Sequence, residues 1–140
     1  MTTDVVPPPP EGFVPSARGP FTTHNGPMFH RIREDGSFDH AFYVLPRHCN
    51  GMGIVHGGML TTFLDGLLAR AVFTTTQVQS VTIHLSVDFL SAAKVGNWVF
   101  GEANVTRATR DLTFAEARIH SLDKDILRGS GIFKLITARS

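Results

Sequence analysis

The stretch Gly57-Gly58-Met59-Leu60-Thr61-Thr62-Phe63-Leu64-Asp65-Gly66-Leu67-Leu68-Ala69-Arg70-Ala71-Val72-Phe73-Thr74 decides the architecture. Met59, Leu60, Phe63, Leu64, Leu67, Leu68, Ala71 and Val72 recur in adjacent pairs four residues apart, a broad apolar stripe at the helical period. The rest of the surface is Thr61, Thr62, Gly66, Ala69 and Phe73, also uncharged, with Asp65 and Arg70 as the two exceptions. A helix this apolar on every side must be enclosed by other structure. The spacing therefore predicts a helix over residues 57–74 that something wraps.

The wrapping material follows. From Val78 to Leu90 the chain alternates, with Val81, Ile83, Leu85, Val87 and Phe89 on one face and Thr82, His84, Ser86 and Asp88 on the other. Strands are also expected over residues 97–108, 112–121 and 126–137, the last three joined at Thr109-Arg110-Asp111 and Asp123-Lys124-Asp125. Turns that short join antiparallel neighbours. Upstream, residues 37–45 read as a first strand closed by Pro46. The order is strand, one very apolar helix, four long strands. A curved antiparallel sheet wrapped around one long central helix satisfies it, which makes the chain α+β with the hot-dog fold.

Ahead of this lies Pro7-Pro8-Pro9-Pro10, which favours extended polyproline II and supplies no ladder donors. Residues 1–12 are read as a flexible Pro-rich arm and 13–140 as a single domain, with irregular chain from Phe13 to Phe29. A length of 140 residues suits one domain, and 42% hydrophobic residues suit a packed core. Thirteen basic and twelve acidic side chains give a net charge of +1, which argues against a nucleic-acid partner. No apolar run is long enough for a membrane span. One cysteine forbids an intrachain disulfide, and the start of the chain lacks a basic, apolar leader; a cytoplasmic setting is expected. Charged residues are only 18%, below the ~25% usual for soluble domains, and between Cys49 and Val87 only Asp65 and Arg70 are charged. Surface so poor in charge is expected to meet another copy of the chain.

Chemistry concentrates where the helix begins, at Asn50-Gly51-Met52-Gly53-Ile54-Val55-His56-Gly57-Gly58. No Ser, Thr, Asp or Asn directly precedes Gly57, so the first helical N–H groups are expected to lack a side-chain cap. Free N–H groups backed by the helix dipole suit a polarised or anionic oxygen, and glycine admits close approach. A carboxylate within an apolar helix is costly to bury, so Asp65 is read as functional. Arg70, five positions on, is poorly placed to pair with it on one face. Gly57 and Asp65 are eight residues apart, about 12 Å along the axis at ~1.5 Å per residue. One carbonyl carbon cannot touch both groups of one chain. If both act on one bond, the second comes from another subunit, across a two-fold axis with antiparallel helices.

Asn50 is a candidate donor to a carbonyl or a holder of water, His56 a loop-fixing residue, and Thr82 a partner for Asp65 or a water. Cys49 beside His48 is read as an inert thiol. The seven histidines show no metal-ligand spacing.

Asn50, Gly53, Val55-His56-Gly57-Gly58 and Asp65 together resemble the signature of the hot-dog acyl-CoA thioesterases, most closely the phenylacetyl-CoA thioesterase (PaaI-type) branch. The similarity runs from about Gly26 to Ala138 and takes in Val81-Thr82, Val87-Asp88-Phe89-Leu90, Lys94-Val95-Gly96 and Gly129-Ser130-Gly131-Ile132-Phe133. It implies hydrolysis of acyl-CoA or aryl-CoA to acid and CoA, with no cofactor. It implies Asp65 as nucleophile or general base, the Gly57 N–H as the group polarising the carbonyl, and supporting roles for Asn50, His56 and Thr82. It also implies a homotetramer of two dimers with CoA at the subunit interface; Gly58, Lys94, Arg107 and Arg110 are the candidate contacts. Ser91-Ala92-Ala93 replaces a proline common in such proteins, and Thr109-Arg110-Asp111 a glycine. Two other activities fit the same pattern. A hydratase or dehydratase would set His84 beside Asp65, and a non-hydrolytic acyl-CoA-binding protein would have no need of Asp65.

Overall fold

The structure, a computed structural model, describes residues 4–136. Among these residues seven strands and two α-helices appear in the order β1 (Val14–Pro15), α1 (Pro20–Asn25), β2 (Met28–Ile32), β3 (Phe38–Tyr43), α2 (Gly57–Thr76), β4 (Ser80–Phe89), β5 (Trp98–Ala108), β6 (Leu112–Ser121) and β7 (Lys124–Leu135), with one 3-10 turn at Pro46–His48. All strands join one antiparallel sheet in the order β1-β2-β3-β5-β6-β7-β4. The sheet wraps α2 as the patterning requires. Met59, Leu60, Phe63, Leu64, Leu67, Leu68 and Val72 are all buried, against Phe42, Val99, Ile119, Leu127 and Phe133 of the strands.

Glycines let the sheet close onto the helix. A Cβ on Gly129 would lie 2.5 Å from Leu64 Cδ2, and one on Gly101 would lie 2.5 Å from Leu67 Cδ1. Two strands thus bring bare backbone against helix leucines that are almost wholly buried. The C-terminus of α2 is closed by Gln77 in the left-handed region, its N–H bonded to Phe73 O.

The start of the chain differs from expectation. The stretch read as irregular contains β1, α1 and the first two residues of β2, and β2 pairs with β3 from Met28↔Phe42 to Ile32↔Phe38. The turn closes through Arg33 N–H to Ser37 O, with Gly36 at φ +86°. β2 is short and lacks clean alternation, so its partner, not its own sequence, makes it a strand. Part of the expected arm, Met1 to Thr3, lies outside the described residues. From Asp4 onward it touches the body. Asp4 meets Arg47 at 3.7 Å, Arg31 reaches Glu11 O, and Val6 packs on a small outer cluster of Phe13, Phe29 and Ala41. The last strand stops at Leu135, and the expected Thr137 end lies outside the described residues. No described helix is long and apolar enough to cross a membrane.

Gly129→Val should lower stability by about 1–3 kcal/mol, since the added atoms must displace Leu64 inside a full core. Urea unfolding followed by circular dichroism reads it, and an unchanged midpoint would contradict the close packing described.

Candidate active site

Asp65 stands in the middle of α2, half-buried, and its Oδ1 accepts a hydrogen bond of 2.6 Å from the Thr82 hydroxyl on β4. A β-bulge produces this contact. Thr82 pairs with Phe133 and His84 with Ile132, so Ile83 is an extra residue. Beyond the bulge Leu85 and Val87 lie opposite Gly131 and Gly129 and pack on the core. The single inward face expected for Val81, Ile83, Leu85, Val87 and Phe89 is therefore wrong. Thr82 shares the helix-facing side with Leu85 and Val87, while Val81 and Ile83 are 47% and 53% exposed. His84 falls on the other side, opposite Ile132, and makes no hydrogen bond to Asp65. Arg70 does not pair with Asp65 either; its guanidinium lies over the rings of Phe38 and Phe73.

The helix start also departs from expectation. It is capped, and by His56, whose Nδ1 accepts the Gly58 N–H at 2.7 Å. The Met59 and Leu60 N–H groups both turn back to His56 O. Gly58 therefore has no spare donor for a substrate. Among the described residues the Gly57 N–H alone in this first turn has no partner. An imidazole accepting at Nδ1 carries its proton, when neutral, on Nε2. The Phe89 ring closes over this end, 3.3 Å from where a Cβ on Gly57 would stand.

The loop ahead of the helix is pinned on both sides. Asn50 N–H bonds Ile54 O, Val55 N–H bonds Ala93 O, and His56 N–H bonds His48 O. Gly53, at φ +76°, makes the turn. Asn50 Oδ1 accepts the Met52 N–H at 2.9 Å, which leaves its amide NH₂ for another acceptor. His48 is taken up by Leu45 N–H and by Asn25 O, so it cannot activate Cys49. Burial pushes the Cys49 thiol up, as an inert thiol requires.

The expected CoA contacts do not gather within one chain. Lys94 is bridged to Ile54 at the Gly57 end of the sheet. Arg107 and Arg110 lie at the opposite end of β5 and in the turn beyond it. All three are exposed.

A cleft of about 330 Å³ opens over Asp65 and Thr82, walled by Thr61, Thr62, Leu85, Phe21 and Thr22. The last two come from α1, which sequence patterning missed. Pro20 in its first turn is a helix-start signal, but six residues are too few for a periodicity to show. Arg18 ties this segment down by donating to Gly66 O at 3.1 Å.

A profile of the thioesterase superfamily matches residues 52–127. The chain belongs to that superfamily. Among its relatives is the Pseudomonas aeruginosa protein named "Putative esterase PA0474", 36% identical over 129 residues, spanning 90% of this chain and 96% of that protein. Mouse acyl-coenzyme A thioesterase 13 is 27% identical over 73 residues, about half of each protein (51% and 52%). Among solved structures, a mutant of the phenylacetic acid degradation protein PaaI from Thermus thermophilus superposes with a TM-score of 0.76 at 21% identity, covering 84% of this chain and 100% of that one. The fold of this thioesterase-superfamily chain is thus the hot-dog fold, and its helix is the one that carries Asp65.

Thr82→Val keeps the shape and removes the donor to Asp65. Thioester hydrolysis should fall about tenfold or more, as for loss of a hydrogen bond to a charged group, with little change in melting temperature. Undiminished hydrolysis would show that the contact does not serve the reaction.

Proposed function

We propose that the protein hydrolyses acyl-CoA or aryl-CoA thioesters to the free acid and CoA, at sites shared between two copies of the chain. The observation that carries this reading is the half-buried Asp65 carboxylate, oriented by Thr82 at the floor of an open cleft, in a chain of the thioesterase superfamily. Thr82 occupies one face of Oδ1, and the other carboxylate oxygen is left to act. Asp65 either draws a proton from water as that water attacks the carbonyl carbon, or attacks the carbon itself, and water then splits the anhydride. On both routes the carbonyl oxygen becomes an oxyanion, the C–S bond breaks and the departing CoA thiolate takes up a proton. The Gly57 N–H, free and backed by the dipole of a 20-residue helix, is the donor suited to that oxyanion. The Asn50 amide is a second donor on the same loop.

If Gly57 and Asp65 act on one bond, helix geometry calls for a second subunit. About 12 Å separates Gly57 from Asp65 along α2, too far for one thioester carbon. Among the described residues β4 pairs with β7 on one side alone, and its exposed Val81, Ile83 and Phe89, with Leu90 just past its end, make this unpaired edge strand apolar. A second β4 packed antiparallel there would bring the Gly57 of one chain toward the Asp65 of the other. Pairing of two such dimers into a tetramer, with Lys94 from one chain and Arg107 and Arg110 from another near the CoA phosphates, extends the same reading. The reaction uses water and needs no cofactor, and a cytoplasmic setting accords with CoA esters as substrates. His84 on the far side of the bulge disfavours a hydratase built on His84 and Asp65.

Asp65→Asn should cut thiol release from a panel of alkyl- and aryl-CoA esters by a factor of ~100 or more, since catalytic proton transfer alone contributes 10²–10⁴-fold. The circular dichroism spectrum should not change. Full activity in that variant would contradict the assignment and favour a binding protein.

A further inference from the structure

One turn beyond Asp65 on α2, a second cleft of about 220 Å³ is lined by Ala69, Arg70, Phe73, Gln79 and Arg18. It joins two guanidinium groups to an apolar wall. Arg18 reaches it from the segment before α1, held by its bond to Gly66 O and by a 3.3 Å contact with His40 Nδ1. Arg70 is held from below by the Phe38 ring, 4.9 Å from its guanidinium carbon.

Among the described residues, neither arginine has a carboxylate within ion-pair distance. The acids nearby are already engaged. Asp39 is shared between Arg31 and Arg33. Asp35, which lines a separate cavity on the other side of Arg70, accepts from the Ser37 N–H and hydroxyl. Buried His40 contributes no negative charge; burial and the neighbouring Arg18 push it down to about 3, so it is neutral at physiological pH. Burial, then the charge of Arg70, also holds Arg18 below its ordinary range. Two like charges kept side by side without a counterion are unfavourable alone, and planar guanidinium forks are the side chains best matched to a carboxylate.

We propose that Arg18 and Arg70 form a subsite for an anionic group on the acyl part of the substrate, so that the favoured thioesters are carboxyacyl esters of CoA. This rests on the thioesterase reading of Asp65, since it takes the cleft at Ala69 and Phe73 as the continuation of the one at Asp65. Ala69 is the residue one turn after Asp65, so an acyl chain leaving a carbonyl at Asp65 meets Ala69 and Phe73 with its methylenes and the arginines with its end. The CoA phosphates are the competing source of anionic oxygen, but they leave the carbonyl on the sulfur side.

The test uses glutaryl-, adipyl- and suberyl-CoA against pentanoyl-, hexanoyl- and octanoyl-CoA, and the same acyl groups on N-acetylcysteamine, which has no phosphate. The wild-type protein should favour at least one carboxyacyl ester over its matched alkanoyl ester in kcat/KM, on both thiols. Arg70→Gln should lower that ratio about tenfold or more, chiefly through KM, and Arg70→Lys should restore part of it. Absence of any carboxyacyl preference in the wild type would overturn the proposal. So would a loss in Arg70→Gln that is equal for all CoA esters and absent for N-acetylcysteamine esters, which would assign the arginines to the CoA phosphates. Asp65→Asn run alongside separates the two readings. If it hydrolyses every ester at the wild-type rate, the thioesterase site itself is misplaced; if it is inactive while the ratio ignores Arg70, only the subsite fails.

Discussion

The spacing imposed by α2 governs the rest of the molecule. The helix is locked by leucines pressed into glycine-made hollows of the sheet, and it cannot bend Gly57 toward Asp65. The unpartnered N–H at its start and the carboxylate at its middle therefore stay about 12 Å apart. Everything around them is consistent with a division of labour between chains. His56 consumes the Gly58 donor and leaves the Gly57 donor before it, and Thr82 orients the carboxylate beside an open cleft. β4 passes both positions, with Thr82 at Asp65 and Phe89 at Gly57.

Patterns set by local repeats were legible. The period of the helix gave α2 nearly to its ends, and the turn at Thr109-Arg110-Asp111 gave β6 with its observed bounds. Features set by contacts distant in sequence were not. β2 exists because β3 lies beside it, and α1 is too short for a stripe. The bulge is the instructive miss. Strict alternation along β4 assigned Thr82 to the face away from Leu85, and one extra residue at Ile83 reverses that. Thr82 is nonetheless a candidate partner for Asp65 by residue type, and the bulge is what brings them together. The cap was missed because histidine is not among the usual N-cap residues, although its ring nitrogen accepts as a carboxylate oxygen would.

The N-terminal segment adds a layer that the apolar patterning did not foreshadow. It lays Phe21 and Thr22 over the Asp65 cleft and Arg18 beside the next one. On the proposed reading the central machinery is carried by α2 and β4, whereas the walls that a substrate would meet come partly from chain outside the helix and its long strands. Variation in those walls changes what fits without disturbing the carboxylate, its threonine or the helix start.

The claim that most needs a direct test is that each site draws Gly57 from one chain and Asp65 from another. Gly57→Pro removes that one N–H at the first helical position, where proline suits the backbone; His56 already has the extended conformation that precedes proline, and the exposed Phe89 ring, 3.3 Å from the added Cβ, shifts by a few tenths of an ångström. Asp65→Asn removes the carboxylate. Each variant alone should be nearly inactive. Unfolded together in equal amounts and refolded, half of the dimers would be mixed, each with one intact site, and about a quarter of wild-type activity should return on statistical pairing. If the mixture stays as inactive as its components while dimers exchange, the groups act within one chain or not at all, and the shared site is wrong.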